Sequence, residues 1–159
     1  MAFELTLEAF PEGGVIPKAY TCDGEDKSPA LRWSGEPQGT KSFAVIVDDP
    51  DAPSGTWTHW LLYDIPASVH SLPEKSASTE GISGINGFGR TGYNGPCPPE
   101  GHGSHRYFFK VLALDVPSLG LRAGAKRPEV DEALSNHVLA EAERMGHYER
   151  GQPRRRAAG

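Results

Sequence analysis

With 159 residues the chain is long enough for one domain with its own core, and a formal net charge of −5 argues against a nucleic-acid partner. Glycine and proline (19 and 14 residues) make up about a fifth of it, against a usual share of about an eighth. They are spread along the chain, which indicates many turns and a mainly β fold. No apolar run approaches a membrane span. Met1-Ala2-Phe3-Glu4 shows neither the basic nor the apolar region of a signal peptide, so the expected location is the cytoplasm. Cys22 and Cys97 are too few for a disulfide scaffold, and neither belongs to a Cys-x-x-Cys pair. Both fall in loops that a bridge would join, but a cytoplasmic location favours the reduced pair.

In chain order, Phe3 to Phe10 alternates Phe3, Leu5, Leu7 and Ala9 with Glu4, Thr6 and Glu8, the pattern of a half-buried strand. Tyr20 to Pro29 has no period and reads as a loop. Ala30 to Ser34 reads as a short strand with Trp33 facing the core. The centre of the chain is Ser42 to Ile65, a strand, a rigid acidic turn and a second strand. Phe43, Val45 and Val47 share one face of the first strand, and Asp49 lies one step beyond them, a carboxylate at the rim of a core. Pro50 and Pro53 stiffen the turn on either side of Asp51. In the second strand alternation groups His59 with Leu61 and Tyr63, and Trp60 with Leu62.

Pro66 to Gly81 reads as a long polar loop. Six glycines lie between Gly81 and Gly95, but no strand precedes them and no Lys-Ser/Thr follows, so this is not a phosphate loop. Gly92 to Pro99 holds three prolines and reads as a stiffened loop. Arg106 to Asp115 is the clearest strand, with His105, Tyr107, Phe109, Val111 and Ala113 on one face. Val130, Ala133, Leu134, Val138, Ala142 and Met145 recur at helical spacing, which predicts a helix from Pro128, capped by Gly146. The expected domain is 1–150, followed by a basic tail to residue 159 with Arg154-Arg155-Arg156.

Four motifs occur in order: D-P-D-A-P (Asp49 to Pro53), W-T-H (Trp57 to His59), G-P-C-P-P (Gly95 to Pro99) and H-R-Y (His105 to Tyr107). Together with T-C-D-G (Thr21 to Gly24) and S-P-A-L-R-W (Ser28 to Trp33), they resemble the phosphatidylethanolamine-binding protein family, in its bacterial and archaeal Raf kinase inhibitor-like branch. The resemblance implies a Greek-key β-sandwich of two antiparallel sheets with a C-terminal helix. It also implies a pocket at one end for phosphate-like anions or phospholipid headgroups. Carried over, the ligand-binding residues are Asp49, Trp57, His59, Gly95, Pro96, His105 and Tyr107, with Asp51, Pro50 and Pro53 structural beside them. It further implies a homodimer, and leaves open a kinase or protease partner. No cofactor or metal is expected.

The chemistry of these residues admits two readings. In the first, Asp49 holds His59 or His105 as imidazolium, and imidazoles, the Tyr107 hydroxyl and backbone N–H groups near Gly95 donate to an anion. In the second, Asp49, His59, His105 and Tyr107 act as acid and base in a small-molecule hydrolase. The chain shows no nucleophile elbow and no strong metal motif, so binding without catalysis is the expectation.

Overall fold

The computed structural model describes residues 2–75 and 80–151. The expected basic tail from Gln152 onward lies outside the described residues, as does part of the Pro66–Gly81 loop, residues 76–79. In chain order the strands are β1 (Glu4–Thr6), β2 (Gly14–Val15), β3 (Leu31–Ser34), β4 (Ser42–Asp49), β5 (Trp57–Pro66), β6 (Ser71–Leu72), β7 (Ile82–Ser83), β8 (His105–Leu114) and β9 (Val138–Tyr148). The α-helix α1 (Arg127–Leu134) precedes β9. Six strands form a large sheet in the order β2-β9-β8-β4-β5-β7, and β1, β3 and β6 form a small one. All pairs are antiparallel except the two-residue β2–β9 pair.

The fold is a sandwich because the central strands are apolar on both faces. Every residue of β4 is buried. Phe43, Val45 and Val47 face the small sheet with Trp60, Tyr107, Phe109 and Trp33. Ala44 and Ile46 face the other way, against Leu61, Tyr63, Leu114 and the α1 residues Val130 and Leu134. β8 returns after the long Gly- and Pro-rich segment to pair with β4 along seven residues, which sets its first residues beside the end of β4.

Two expected elements differ. The first strand is confined to Glu4–Thr6, although Leu7 and Phe10 still enter the core. The helix ends at Leu134 instead of running to Met145. Asn136 adopts φ 69°, a left-handed conformation that Asn tolerates, and His137 N–H closes the turn onto the Leu134 carbonyl. Ala, Glu, Leu, Arg and Met are good helix formers, but residues 138–148 gain a ladder along β8 from His105↔Tyr148 to Leu114↔Val138. Pairing outweighs local propensity, and Gly146 is a strand residue opposite Tyr107, not a cap. Among the described residues no helix is long and apolar enough to cross a membrane.

Candidate functional site

Asp49 is the last residue of β4 and only 3 % exposed. Its Oδ1 accepts the Asp51 N–H at 2.8 Å, which folds the Pro50–Pro53 turn back on the strand end. Asp51 points elsewhere. Its carboxylate takes the Arg106 side chain at 2.8 and 2.9 Å and the Arg106 N–H at 2.9 Å, pinning the turn to β8. That guanidinium holds the Asp51 carboxyl down at about 2.

His59 reaches Asp49's side of the sheet through a β-bulge. Val47 pairs with Trp60 while Asp48 pairs with Thr58, so His59 is the extra residue. Simple alternation places His59 with Leu61 and Tyr63; the bulge turns it to the opposite face, where its ring meets Tyr107 edge-on at 5.2 Å. Its Nδ1 lies 2.7 Å from the Asn94 carbonyl oxygen. A carbonyl only accepts, so Nδ1 carries the proton, and in the neutral ring Nε2 is left with the lone pair. Burial is the main cause pushing the His59 pKa below its ordinary 6.5, so near neutral pH the ring is uncharged.

The carboxylate is paired with the other imidazole. Asp49 Oδ2 accepts from His105 Nδ1 at 2.7 Å, both groups being buried, and His105 Nε2 lies 2.7 Å from Nδ1 of the exposed His102. Of the two imidazoles expected to pair with Asp49, the structure selects His105 and leaves His59 neutral. His102, on the G-H-G-S-H approach to β8, was not among the expected site residues; its spacing of three from His105 is the signal that marks it. Tyr107 is completely buried; its hydroxyl stands near the Asp49 carboxylate and the Cys97 N–H, but it meets the full distance and angle of a hydrogen bond with neither. Burial, then the negative charge of Asp49, push its pKa far up, so the phenol stays protonated and available as a donor.

These groups line a cavity of about 250 Å³ between the ends of the strands. Asp49, His59, His105, Tyr107 and Trp57 converge there as expected, with walls from Pro53, Pro98 and Pro99. Phe88, 41 % exposed, forms part of the rim and packs edge-on against both Trp57 and His59. Sequence reasoning passed over it, because one aromatic among glycines has no period. Asn86 positions it, accepting from the N–H groups of Phe88 and Arg90 while donating to the Gly92 carbonyl. A Cβ on Gly87 would sit 2.6 Å from the Trp57 ring, so only glycine lets this loop lie on the indole.

Two expectations require correction. Gly95 and Pro96 lie outside the cavity lining: a Cβ on Gly95 would fall 2.0 Å from the Tyr20 carbonyl oxygen, because the loop is pressed against residues 20–26. The Gly95 N–H is consumed by Asp26 Oδ1 at 2.8 Å, and the Pro96 carbonyl accepts the Cys22 N–H, so neither group is offered to this cavity. Pro50, expected as a structural neighbour of the site, stands on the groove beside Arg106 and Lys110. Finally, Cys22 and Cys97 are not free thiols but a disulfide with Cα atoms 5.4 Å apart. The close approach at Gly95 brings the two loops together, a contact that residues 75 apart in sequence do not announce.

Chemically, the cavity offers one buried hydroxyl donor, one imidazole lone pair and a carboxylate already engaged by its own histidine. Among the described residues no group of three or more His, Cys, Asp or Glu is arranged to hold a metal ion.

The model of the phosphatidylethanolamine-binding protein family matches residues 6–149. A UPF0098 protein of Aquifex aeolicus is 54 % identical over 151 residues, covering 92 % of this chain and 88 % of that protein. One from Methanothermobacter thermautotrophicus is 48 % identical over 152 residues, with 92 % and 99 % covered. Among solved structures, Escherichia coli YbcL, described as a member of the mammalian family, superposes with a TM-score of 0.88 at 36 % identity over 94 % of this chain and 99 % of that one. The Chlamydia trachomatis homolog CT736 superposes with a TM-score of 0.86 at 40 % identity, over 94 % and 98 %. The sandwich, the motifs at its open end and these matches agree: the chain belongs to the phosphatidylethanolamine-binding protein family.

Proposed function

We propose that this cavity reversibly binds the phosphoryl group of a small phosphorylated ligand or phospholipid headgroup, without chemical turnover. The observation that carries this reading is the Tyr107 hydroxyl, wholly buried between Asp49 and His59 and well aligned with no protein acceptor. Such a group costs about 1–3 kcal/mol while unsatisfied, and a ligand oxygen that accepts from it recovers that cost. His59 Nε2 complements it. As a lone-pair acceptor it accepts a hydrogen bond from the P–OH of a phosphate monoanion, while a P–O⁻ oxygen accepts one from the Tyr107 hydroxyl. The volume of about 250 Å³ is below the roughly 300–1,000 Å³ of drug-sized sites, which suits a headgroup and not an acyl chain. Prolines at 53, 98 and 99 keep the walls stiff, so little ordering entropy is lost on binding.

The Asp49–His105 pair also has the form of a general base and its orienting acid, which keeps a hydrolase as the second reading. Against it, the cysteine in the lining is bonded to Cys22 and presents no thiolate. The resemblance alone suggests the homodimer and leaves a kinase or protease partner open; light scattering across concentrations tests the first. Isothermal titration with inorganic phosphate and phosphoethanolamine at about pH 5.5 and about pH 8 tests the binding reading. The complex holds a proton on the ligand or on His59, and a phosphomonoester loses its second proton near pH 6, so affinity is expected to fall as pH rises. Absence of binding, or affinity that rises with pH, contradicts the reading. Steady release of phosphate from phosphoethanolamine would replace it with the hydrolase.

A further inference from the structure

We propose that the Cys22–Cys97 disulfide is a partition that restricts the site to headgroup-sized ligands, and that its reduction admits phosphodiesters with a polar second arm. This rests on the phosphoryl-binding reading above and adds to it a determinant of ligand size. A second cavity, of about 310 Å³, adjoins the first. The two share Phe88 and Cys97 as lining, and Cys22 lines the second, so the cystine stands on their common wall. Beyond it lie Arg90, Asp26 and Asn94, groups of both charges and an amide. That lining suits a polar substituent such as glycerol or an amino alcohol, not a hydrocarbon chain.

The structure also shows what breaking the bond would release. The segment before Cys97 is held to the 20–26 loop without it: Tyr93 hydroxyl donates to the Tyr20 carbonyl at 2.7 Å, Gly95 N–H to Asp26 at 2.8 Å, and Cys22 N–H to the Pro96 carbonyl at 3.1 Å. Pro98 and Pro99 have no N–H with which to anchor themselves. Their nearest tie downstream is local, the His102 N–H to the Pro99 carbonyl. Reduction therefore frees Cys97–Pro99, the wall of the first cavity, while the rest of the fold keeps its bonds. In the reaction a dithiol reductant gives two electrons and two protons to the two Sγ atoms and closes to its own disulfide. Both cysteines are partly exposed, so the reductant has access.

The test is titration of inorganic phosphate and of glycerophosphoethanolamine into the oxidised protein, the dithiothreitol-reduced protein and Cys22→Ser, which removes the bridge without replacing any residue that lines the first cavity. Circular dichroism confirms that each form is folded. Phosphate is expected to bind all three with affinities within about threefold, and glycerophosphoethanolamine to gain about tenfold or more on loss of the bridge. Should Cys22→Ser fail to fold, the reduced wild type carries the comparison. Equal glycerophosphoethanolamine affinity in the oxidised and reduced forms would overturn the partition. So would loss of phosphate binding on reduction, since the bridge would then be building the site instead of dividing it. Phosphate binding to no form would overturn the phosphoryl site itself.

Discussion

Asp48 and Asp49 are neighbours in β4, both almost fully buried, yet they face opposite sides of the sheet and meet opposite solutions to the same problem. Asp48 is neutralised by a permanent cation: Arg127 Nη1 lies 2.5 Å from Oδ1 and 3.0 Å from Thr58 Oγ1, with Lys110 at 3.8 Å from Oδ2. Arg127 reaches it from α1 and also grips Asp131, so this pair fastens the helix to the sheet. Asp49 has no arginine or lysine within ion-pair distance among the described residues, only His105 and a backbone N–H, and it opens on a cavity. A buried carboxylate matched by a fixed charge is a structural fastener. One matched by a titratable ring beside an unsatisfied hydroxyl belongs to a site.

That contrast can be broken by experiment. The largest effect is expected for Arg127→Met, which leaves Asp48 with Lys110 alone at 3.8 Å: urea unfolding should show a loss of about 3 kcal/mol, the low end for a broken buried pair, with phosphate affinity unchanged in the folded protein. A loss of affinity at this position would join the two carboxylates that the account separates. Next come His59→Ala and His105→Ala, each expected to weaken phosphate binding by roughly 1–3 kcal/mol. The first removes the acceptor for P–OH; the second leaves Asp49 unpaired beside the anion. Calorimetry reads both, and unchanged affinity in the pair of variants would remove the basis for the site. Tyr107→Phe sharpens the comparison further. It should weaken binding by about 0.5–1.5 kcal/mol while leaving stability equal or slightly higher, because a buried hydroxyl without a well-aligned partner is deleted. Lower stability without loss of binding would make Tyr107 a core residue only.

The smallest effect is on stability against pH. The folded protein holds His59 neutral with its pKa below 6.5, whereas the unfolded imidazole protonates at about 6.5. The contribution is therefore fully present above that value and is lost as pH falls below it toward the folded pKa. Replacing His59 by Gln should remove this component of the acid-side slope in thermal melts; an identical slope would show that His59 is not held neutral.

The strands were legible where alternation ran long. β4, β5 and β8 match their expected spans, residues 42–48, 58–65 and 106–115, to within about a residue, and the row from His105 through Ala113 faces the core as read. Long two-sided strands overdetermine their own pattern. His59 was placed on the wrong face because a bulge adds one residue without changing composition. β9 was read as helix because Ala-Glu-Ala-Glu-Arg-Met suits both periods, and only its ladder to β8 decides between them. Asn136 was the local clue that the helix stops. Phe88, the Gly95 N–H and the disulfide were not legible, since each depends on which loops meet across the open end of the sandwich. The motifs located Asp49, Trp57, His59, His105 and Tyr107, but not which imidazole takes the carboxylate.

The central claim, that a phosphoryl group sits between His59 and Tyr107 beside the Asp49–His105 pair, is tested most directly at the histidine side chains. Long-range ¹⁵N–¹H spectra of the six imidazoles, recorded during titration with inorganic phosphate, report each ring nitrogen separately. The account predicts a saturable shift of His59 Nε2, with a smaller change at His105, while His70 and His137, paired with Glu36 and Asp115 elsewhere on the surface, stay in place. Stationary His59 signals, or equal shifts at all six rings, would contradict it.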